Sequence, residues 1–281
     1  MRFEKWNALG NDYVIFEADA LPWELTSERV RAICEPHFGL GADGVLLLSR
    51  SDQEELVAEL RIFNPDGSEA ELSGNGAREA VLYLRRAGWT GEHEFAIRTK
   101  AGIIRPAITG PRTCTLEMGR AATASADFPS AGADGRDQLE AGGETWSFQH
   151  VSIGNPQCAI EIADPARLEG LDLAAIGPEI ESSELFPNRT NVSFFVTEGN
   201  RVRARIFERG VGETLSSGTG AAGAAVAAYL AGAPSPITVE LDGGELEIEI
   251  SPNLDLKLTG WAEPVYSGQL SAEMVERLTD L

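Results

Sequence analysis

The chain has 281 residues, of which 43% are hydrophobic and 24% are charged, and this ordinary globular composition excludes global disorder. Its formal net charge of −21 repels phosphate backbones and anionic lipids, which argues against nucleic acid and membrane surfaces as partners. Because the chain is longer than the usual single hydrophobic core, we expect two domains.

Cysteine and histidine are too sparse to indicate a metal centre. The three cysteines form no CxxC pair and the three histidines are scattered, so we expect no metal site. The glycine patterns of dinucleotide and P-loop sites are also missing, and we expect no cofactor. The few cysteines, the polar N-terminal residues and the lack of a long apolar segment indicate a cytoplasmic protein.

The first element with a clear helical period is a helix predicted over residues 26–37. Its spacing places Val30, Ile33, Cys34 and His37 on one face. A stripe of this kind normally faces the core, so we expect Cys34 and His37 to be packed there rather than to react.

An extended segment over residues 56–63 leads through a turn-rich loop into the sequence S-G-N-G-A at residues 73–77 and then into a helix predicted over 77–86. Serine is a favourable N-cap, and glycine permits the tight backbone that precedes a helix. The same plan recurs between residues 202 and 230, where S-G-T-G-A precedes the second helix.

Two elements are predicted in the last part of the chain. Alternating apolar and polar residues over 237–250 predict a β-hairpin that turns at Asp242-Gly243-Gly244. A final helix is predicted over residues 272–278, and we expect it to pack back on the first half of the chain.

An internal repeat relates the two Ser-Gly segments. Residues 61–77 and 205–221 are identical at eight of 17 positions at an offset of 144, and the same offset pairs Gly10-Asn11 with Gly154-Asn155. Two separate matches at one offset are difficult to attribute to chance. The sequence therefore predicts two homologous halves.

The repeated helix starts suggest a binding site. A helix N-terminus exposes N–H groups that attract a carboxylate or phosphate. If the halves face each other, Ser73 and Ser217 would lie on opposite sides of one small anion. The alternative is that each Ser-Gly segment is only a helix cap and a close-packed turn.

Polar residues near these segments can bind the ammonium and carboxylate groups of an amino acid. Glu208 and Arg209 supply one charge of each sign. Any single asparagine here is also an ordinary turn former, so the set is more informative than its members. The amides are Asn11, Asn64, Asn75, Asn155 and Asn191.

Five motifs together resemble the signatures of the diaminopimelate epimerase family, from residue 3 to about residue 265. These are GNDYV (10–14), FNPDGSEAELSGNGAR (63–78), GNP (154–156), NVSF (191–194) and ERGVGETLSSGTGA (208–221). The resemblance implies an α+β fold of two pseudo-symmetric domains, each a β-barrel-like sheet around a central helix, with a cleft between them. We expect one half at residues 1–118, with 266–281 packing back on it, and the other at residues 119–265.

The resemblance also implies an activity. Members of this family invert LL- to meso-diaminopimelate without a cofactor, in lysine and peptidoglycan precursor biosynthesis, and are commonly homodimers. Matching the motifs residue by residue makes Ser73 and Ser217 the catalytic positions. The implied substrate-binding residues are Asn11, Asn64, Gly74, Asn75, Asn155, Asn191, Glu208, Arg209, Gly218 and Thr219.

This chain departs from the family pattern at the reacting atoms. The family has cysteine where this chain has Ser73 and Ser217, histidine where it has Gln157, and cysteine where it has Glu79. A thiol ionises near pH 8.5, whereas an alcohol is far less acidic and needs a neighbouring base. Candidate bases near in sequence are Glu69, Glu79 and Glu213.

Three interpretations remain open at this point. The chain is an epimerase or racemase with an activated serine pair, acting on diaminopimelate or on another amino acid. Alternatively, it binds an amino acid with little turnover. In the third, both serines are engineered replacements that trap substrate.

Overall fold

The computed structural model describes residues 1–129, 132 and 134–281. The chain forms two compact units. The first unit contains residues 1–116 and 260–281, and the second contains residues 117–259. Within the described residues, no helix has the length and apolar character needed to cross a membrane.

Strands make up most of the regular structure. In chain order they are β1 (Arg2–Ala8), β2 (Asn11–Glu17), β3 (Val45–Ser49), β4 (Leu56–Phe63), β5 (Glu69–Ala70), β6 (Ala96–Thr99), β7 (Gly102–Ile104), β8 (Ala107–Gly110), β9 (Thr113–Arg120), β10 (Arg136–Ala141), β11 (Glu144–Ser152), β12 (Pro156–Glu161), β13 (Asn191–Glu198), β14 (Arg201–Glu208), β15 (Gly212–Thr214), β16 (Ile237–Leu241), β17 (Gly244–Ile250), β18 (Asp255–Trp261) and β19 (Glu263–Gln269). The α-helices are α1 (Ser27–Cys34), α2 (Gly74–Arg86), α3 (Pro165–Glu169), α4 (Leu173–Glu181), α5 (Gly218–Leu230) and α6 (Ala272–Thr279).

The first unit is a mixed sheet covered on both faces. Its strand order is β19-β1-β2-β3-β4-β6-β7, with β5 paired to β4. Alternate side chains of β2 enter different cores: Tyr13 and Ile15 pack with residues of α2, whereas Val14 and Phe16 pack with residues of α1 and α6. Burial of both faces explains why β3 reads as an unbroken apolar run.

The second unit wraps its sheet around α5. The strand order is β10-β11-β12-β13-β14-β16-β17-β18, with β15 paired to β14. Helix α5 contacts β11, β12, β13, β14, β16 and β17. Nine of its 13 residues are Gly or Ala, and it is buried on nearly every side, as expected for a helix that is apolar all round. Its small side chains allow the strands to approach closely.

The sequence repeat corresponds to a repeat in structure. In each unit a long strand pairs antiparallel with a short one and then leads through a serine into the central helix, as β4-β5-α2 and β14-β15-α5. The equivalent ion pairs Arg61–Glu69 and Arg205–Glu213, at 2.9 and 2.6 Å, bridge the two short hairpins. The residues that are identical between the two halves therefore stabilise the same local structure in each unit.

Most predicted elements are confirmed. The β-hairpin forms from β16 and β17 with Leu241 opposite Gly244, and the final helix forms as α6. The prediction for His37 is wrong, because α1 ends at Cys34 and His37 is exposed beyond it. Pro36 disfavours helical backbone at the residue before it, which accounts for the early end.

The close approach of α5 to β14 yields a stability prediction. A Cβ at Gly220 would lie 2.8 Å from Ile206 Cδ1, whereas a Cβ at Gly218 would lie 3.4 Å from Leu258 Cδ1, an ordinary contact. We expect Gly220→Ala to lower the free energy of unfolding by about 1–3 kcal/mol. Gly218→Ala, the matched control, should change it by about 0.5 kcal/mol or less. Urea unfolding of both variants measures the difference, and equal midpoints would contradict the close approach.

Candidate functional site

Ser73 and Ser217 occupy equivalent positions as the N-caps of α2 and α5. The Ser73 Oγ accepts the Gly76 N–H at 3.1 Å, and the Ser217 Oγ accepts the Gly220 N–H at 3.2 Å. Both serines have extended backbone, as N-cap residues do. The predicted capping role is therefore confirmed for both. Ser217 is buried and Ser73 is half-buried.

A tyrosine hydroxyl contacts Ser73. Tyr13, on β2, donates its hydroxyl hydrogen bond to the Ser73 Oγ at 3.2 Å. Sequence analysis missed this contact, because Tyr13 reads only as a member of an apolar strand. Its position could have been inferred from alternation along β2, which places Tyr13 on the sheet face that packs against α2.

A chain of amides lies beside Ser73 in the first unit. The Asn75 side chain donates to Asn11 Oδ1 at 3.2 Å, and Asn11 donates to Asp43 Oδ2 at 3.1 Å. The Arg78 guanidinium donates to Asn75 Oδ1 at 2.5 Å. Asn64 lies apart from this chain, in a turn where its amide donates to Ser68 Oγ at 3.0 Å.

The second unit has an equivalent chain. Asn155 donates to Thr219 Oγ1 at 3.2 Å, and Gln157 donates to Asn155 Oδ1 at 2.8 Å. Asn11 and Asn155, which the repeat pairs, thus each bond to the residue two positions after a capping serine. Gln157 is buried, and a Cβ at Gly223 would lie 2.9 Å from its Cβ, so Gly223 makes room for this side chain.

Glu208 contacts Ser217 and supplies a carboxylate at the second helix start. Its Oε1 accepts the Thr214 hydroxyl at 2.8 Å, and the nearby Ser217 side chain also lowers the pKa of this carboxyl group. Burial raises the pKa of Glu208 above its ordinary value, and the bonds from Thr214 and Ser217 partly offset this rise. The group is therefore a more basic carboxylate than an exposed glutamate.

The sequence predicted Glu208 as a substrate-binding residue and three other glutamates as candidate bases. Glu69 and Glu213 are ion-paired with arginines, and Glu79 is enclosed in the core. The β14–β15 register, in which Glu208 lies opposite Gly212, returns the chain past this carboxylate on its way to Ser217. The proximity of Glu208 to Ser217 follows from the β14–β15 hairpin, but it can be predicted only once the register of that strand pair is known.

Asn191 and Arg209 form a connected pair. The buried Asn191 side chain donates to Pro156 O at 3.1 Å and accepts the Arg209 N–H at 2.9 Å. The exposed Arg209 side chain donates to Asn188 O at 2.7 Å. Asn191 therefore holds the loop that presents Arg209. Gly74 and Gly218 are the first residues of α2 and α5, whose initial N–H groups lack acceptors within the helix.

Three ionisable side chains are fully buried in the first unit, two of them on the helix that Ser73 caps. Burial raises the pKa of Glu79 well above its usual range, the positive charge of Arg78 offsets this only in part, and neither carboxyl oxygen has a partner within hydrogen-bonding distance. Burial lowers the pKa of Arg78 to about 10 and raises that of Cys114 to about 12. Over the part of the chain that is described, no cluster of His, Cys, Asp and Glu could hold a metal ion.

The unpaired Glu79 carboxyl predicts a pH-dependent loss of stability. In the unfolded chain this group ionises above about pH 4.3, whereas the folded chain retains the proton to higher pH, so stability falls as pH rises through that window. Glu79→Gln should remove this fall and raise the free energy of unfolding at pH 7 by about 1–3 kcal/mol, with little effect at pH 4. Glu54→Gln, at an exposed position, is the control. Denaturant unfolding of the parent chain and both variants at pH 4 and pH 7 measures these differences. A Glu79→Gln variant that is less stable than the parent chain at pH 7 would contradict the raised pKa of Glu79.

Comparison with solved structures defines the class of fold. A phenazine biosynthesis protein of the PhzF family from Bacillus anthracis aligns with a TM-score of 0.67 at 18% identity, over 96% of this chain and 99% of that one. A hydroxyproline epimerase from Agrobacterium vitis aligns with a TM-score of 0.65 at 15% identity, over 97% and 92%. The predicted α+β fold of two pseudo-symmetric domains is confirmed.

Sequence comparison identifies the family within that class. The family model for diaminopimelate epimerase matches residues 3–124 and 149–263. A diaminopimelate epimerase from Synechococcus sp. (strain JA-3-3Ab) is 40% identical over 278 residues, covering 95% of this chain and 97% of that protein. The chain belongs to the diaminopimelate epimerase family.

Proposed function

We propose that this protein is a cofactor-independent epimerase that inverts LL- to meso-diaminopimelate in the biosynthesis of lysine and peptidoglycan precursors. The observation that carries the proposal is the Glu208 carboxylate near Ser217, held by the Thr214 hydroxyl at 2.8 Å and with a pKa that burial raises and Ser217 lowers in part. A serine needs a neighbouring base to accept a proton near neutral pH, and this carboxylate supplies one. Family membership supplies the substrate.

The proposed chemistry uses Ser73 and Ser217 as the two catalytic groups. Inversion at a carbon requires removal of a proton from one face and delivery of a proton to the other. The Ser217 Oγ takes a proton from Cα while its own proton passes to Glu208, whose raised pKa makes it a better acceptor than an ordinary glutamate. The Ser73 hydroxyl exchanges a proton with the opposite face.

The remaining polar residues are proposed to hold the amino acid. Arg209 and the first N–H groups of α2 and α5 suit carboxylates, because both present several donors. Amide side chains suit the ammonium groups through their oxygens and carboxylates through their N–H groups. The proposed substrate-binding set is Asn11, Asn64, Gly74, Asn75, Asn155, Asn191, Glu208, Arg209, Gly218 and Thr219.

We further propose a cytoplasmic homodimer. The sheet of the first unit ends at β19, where Val265 and Tyr266 are 56% and 44% exposed. An exposed apolar edge strand is suited to pairing with a second copy. All three cysteines are free and buried, which fits a reducing compartment.

Exchange of the α-proton tests the proposed activity. The protein is mixed with LL-diaminopimelate in D₂O and the α-proton signal is followed by NMR, with binding measured separately by calorimetry. Loss of the signal together with formation of the meso isomer supports the epimerase. Binding without exchange would instead support a binding protein, and neither binding nor exchange would point to another amino acid.

The double variant Ser73→Cys/Ser217→Cys should exchange the α-proton at least about tenfold faster than the parent chain, because a thiol at a helix N-terminus ionises near neutral pH. Either single variant should gain little, since inversion needs both groups. Ser216→Cys, which adds a thiol one residue from the site, is the control. A folded double variant that binds diaminopimelate without faster exchange would contradict the assignment of the two serines.

Glu208→Gln keeps the size of the side chain but removes the proton acceptor, and should slow α-proton exchange by about 10²–10⁴-fold. In the parent chain the rate should fall on the acid side with a midpoint above about 4.3, because Glu208 acts only as the carboxylate and burial raises its pKa. Glu213→Gln, which loses only the ion pair with Arg205, is the matched control. Unchanged exchange in Glu208→Gln would exclude the carboxylate as the base.

A further inference from the structure

The two catalytic serines have opposite hydrogen-bonding surroundings. The Ser73 Oγ accepts from two donors, the Gly76 N–H at 3.1 Å and the Tyr13 hydroxyl at 3.2 Å. The Ser217 Oγ accepts from the Gly220 N–H at 3.2 Å and lies near the Glu208 carboxylate, an acceptor whose pKa Ser217 lowers. One serine thus faces two donors, whereas the other faces a donor and an acceptor.

The difference between the surroundings of the two serines does not follow from the sequence repeat. At the offset of 144 residues, the counterpart of Tyr13 is Gln157, whose amide donates to Asn155 Oδ1 at 2.8 Å. The counterpart of Glu208 is Asn64, whose amide donates to Ser68 Oγ. The two side chains that bond to the serines therefore come from different positions of the repeat.

The Tyr13 ring is held so that its hydroxyl reaches Ser73. A Cβ at Gly44 would lie 2.5 Å from Tyr13 Cε1, and a Cβ at Gly76 would lie 3.4 Å from Tyr13 Cε2. The buried ring fills a slot that two glycines leave open. A phenylalanine ring would fill the same slot, so packing alone does not account for the hydroxyl.

We propose that Tyr13 is a positioning residue that makes Ser73 the proton-donating side of the reaction, with Ser217 and Glu208 as the proton-accepting side. This inference rests on the proposed epimerase function. Hydrogen bonds donated to an oxygen stabilise its deprotonated form and so make its own proton easier to release. The Tyr13 hydroxyl adds such a bond to the one from the Gly76 N–H.

The protons balance over one inversion. The Cα–H bond breaks, its electron pair stays on the substrate, and the proton goes to Ser217 Oγ as the Ser217 proton moves to Glu208. The Ser73 O–H bond then breaks as its proton joins the opposite face of Cα. The Ser73 oxygen, stabilised by Tyr13 and Gly76, recovers a proton from water, and Glu208 releases one to water.

Tyr13→Phe tests the inference through the fate of the α-proton in D₂O. For the isomer whose proton is removed at Ser217, weaker donation from Ser73 leaves the carbanion to recapture deuterium on the same face. The ratio of exchange with retention to inversion should rise about tenfold for that isomer. For the other isomer, Ser73 is the group that returns a proton on the same face, so the ratio of exchange with retention to inversion should fall.

Tyr83→Phe is the matched control, because it removes a tyrosine hydroxyl in the same unit that bonds to Glu17 at 2.8 Å rather than to Ser73. It should leave both ratios at the parent value. A ratio that changes in the same direction for both isomers, or that changes as much in Tyr83→Phe, would show a general structural effect and overturn the inference.

A second measurement is independent of diaminopimelate turnover. In Ser73→Cys, iodoacetamide labelling against pH gives the thiol pKa, and adding Tyr13→Phe should raise that pKa by about 0.5–1 unit. In Ser217→Cys the same addition should have no effect. The native cysteines are buried and should contribute little background.

These outcomes separate the two proposals. If the parent chain does not exchange the α-proton but Tyr13→Phe shifts the thiol pKa at position 73 alone, the epimerase proposal fails while the donor role of Tyr13 stands. An unshifted thiol pKa overturns the role of Tyr13, whatever the activity of the parent chain.

Discussion

The absence of a Cβ at the third residue of each central helix is the constraint on which both sites depend. A Cβ at Gly76 would lie 3.1 Å from Leu46 Cδ2, and a Cβ at Gly220 would lie 2.8 Å from Ile206 Cδ1, so a larger residue at either position would displace its neighbour. The N–H groups of these same glycines bond to the capping serines. The same glycine in each unit therefore allows the helix to pack closely against the sheet and holds the capping serine in place. It brings each serine near the end of a strand, where side chains on the strand can contact it.

The two units share this backbone arrangement but place different chemistry on it. The first unit encloses Arg78 and Glu79 in its central helix, whereas the equivalent residues of the second are Ala222 and Gly223. Helix α5 can therefore be surrounded by six strands of its sheet. Because the backbone is maintained by the repeated hairpins, the side chains around the serines are free to differ. In the proposed reaction, one serine accepts a proton and the other donates one, so different side chains beside the two serines suit their different roles.

Sequence reasoning succeeded where the controlling interactions are local. The Ser-Gly-x-Gly segments predicted capped helices because an N-cap bond spans only three residues, and the hairpin at β16 and β17 followed from alternation and a glycine turn. It failed where contacts depend on tertiary register. The Glu208–Ser217 contact requires the β14–β15 pairing, and the Tyr13–Ser73 contact spans 60 residues. His37 was misplaced because helical periodicity was extended past Pro36.

The replacement of thiols by hydroxyls changes where the proton is stored. In a thiol pair the sulfur itself holds the negative charge, since its pKa is near neutral. A serine hydroxyl cannot hold that charge at neutral pH, but it can pass a proton to a carboxylate with which it is hydrogen-bonded. Burial raises the pKa of Glu208, and the Thr214 hydroxyl, which bonds to its Oε1 at 2.8 Å, and the nearby Ser217 lower it in part. In the proposed reaction, therefore, the group whose pKa must suit the working pH is Glu208, and Ser217 conducts the proton to it.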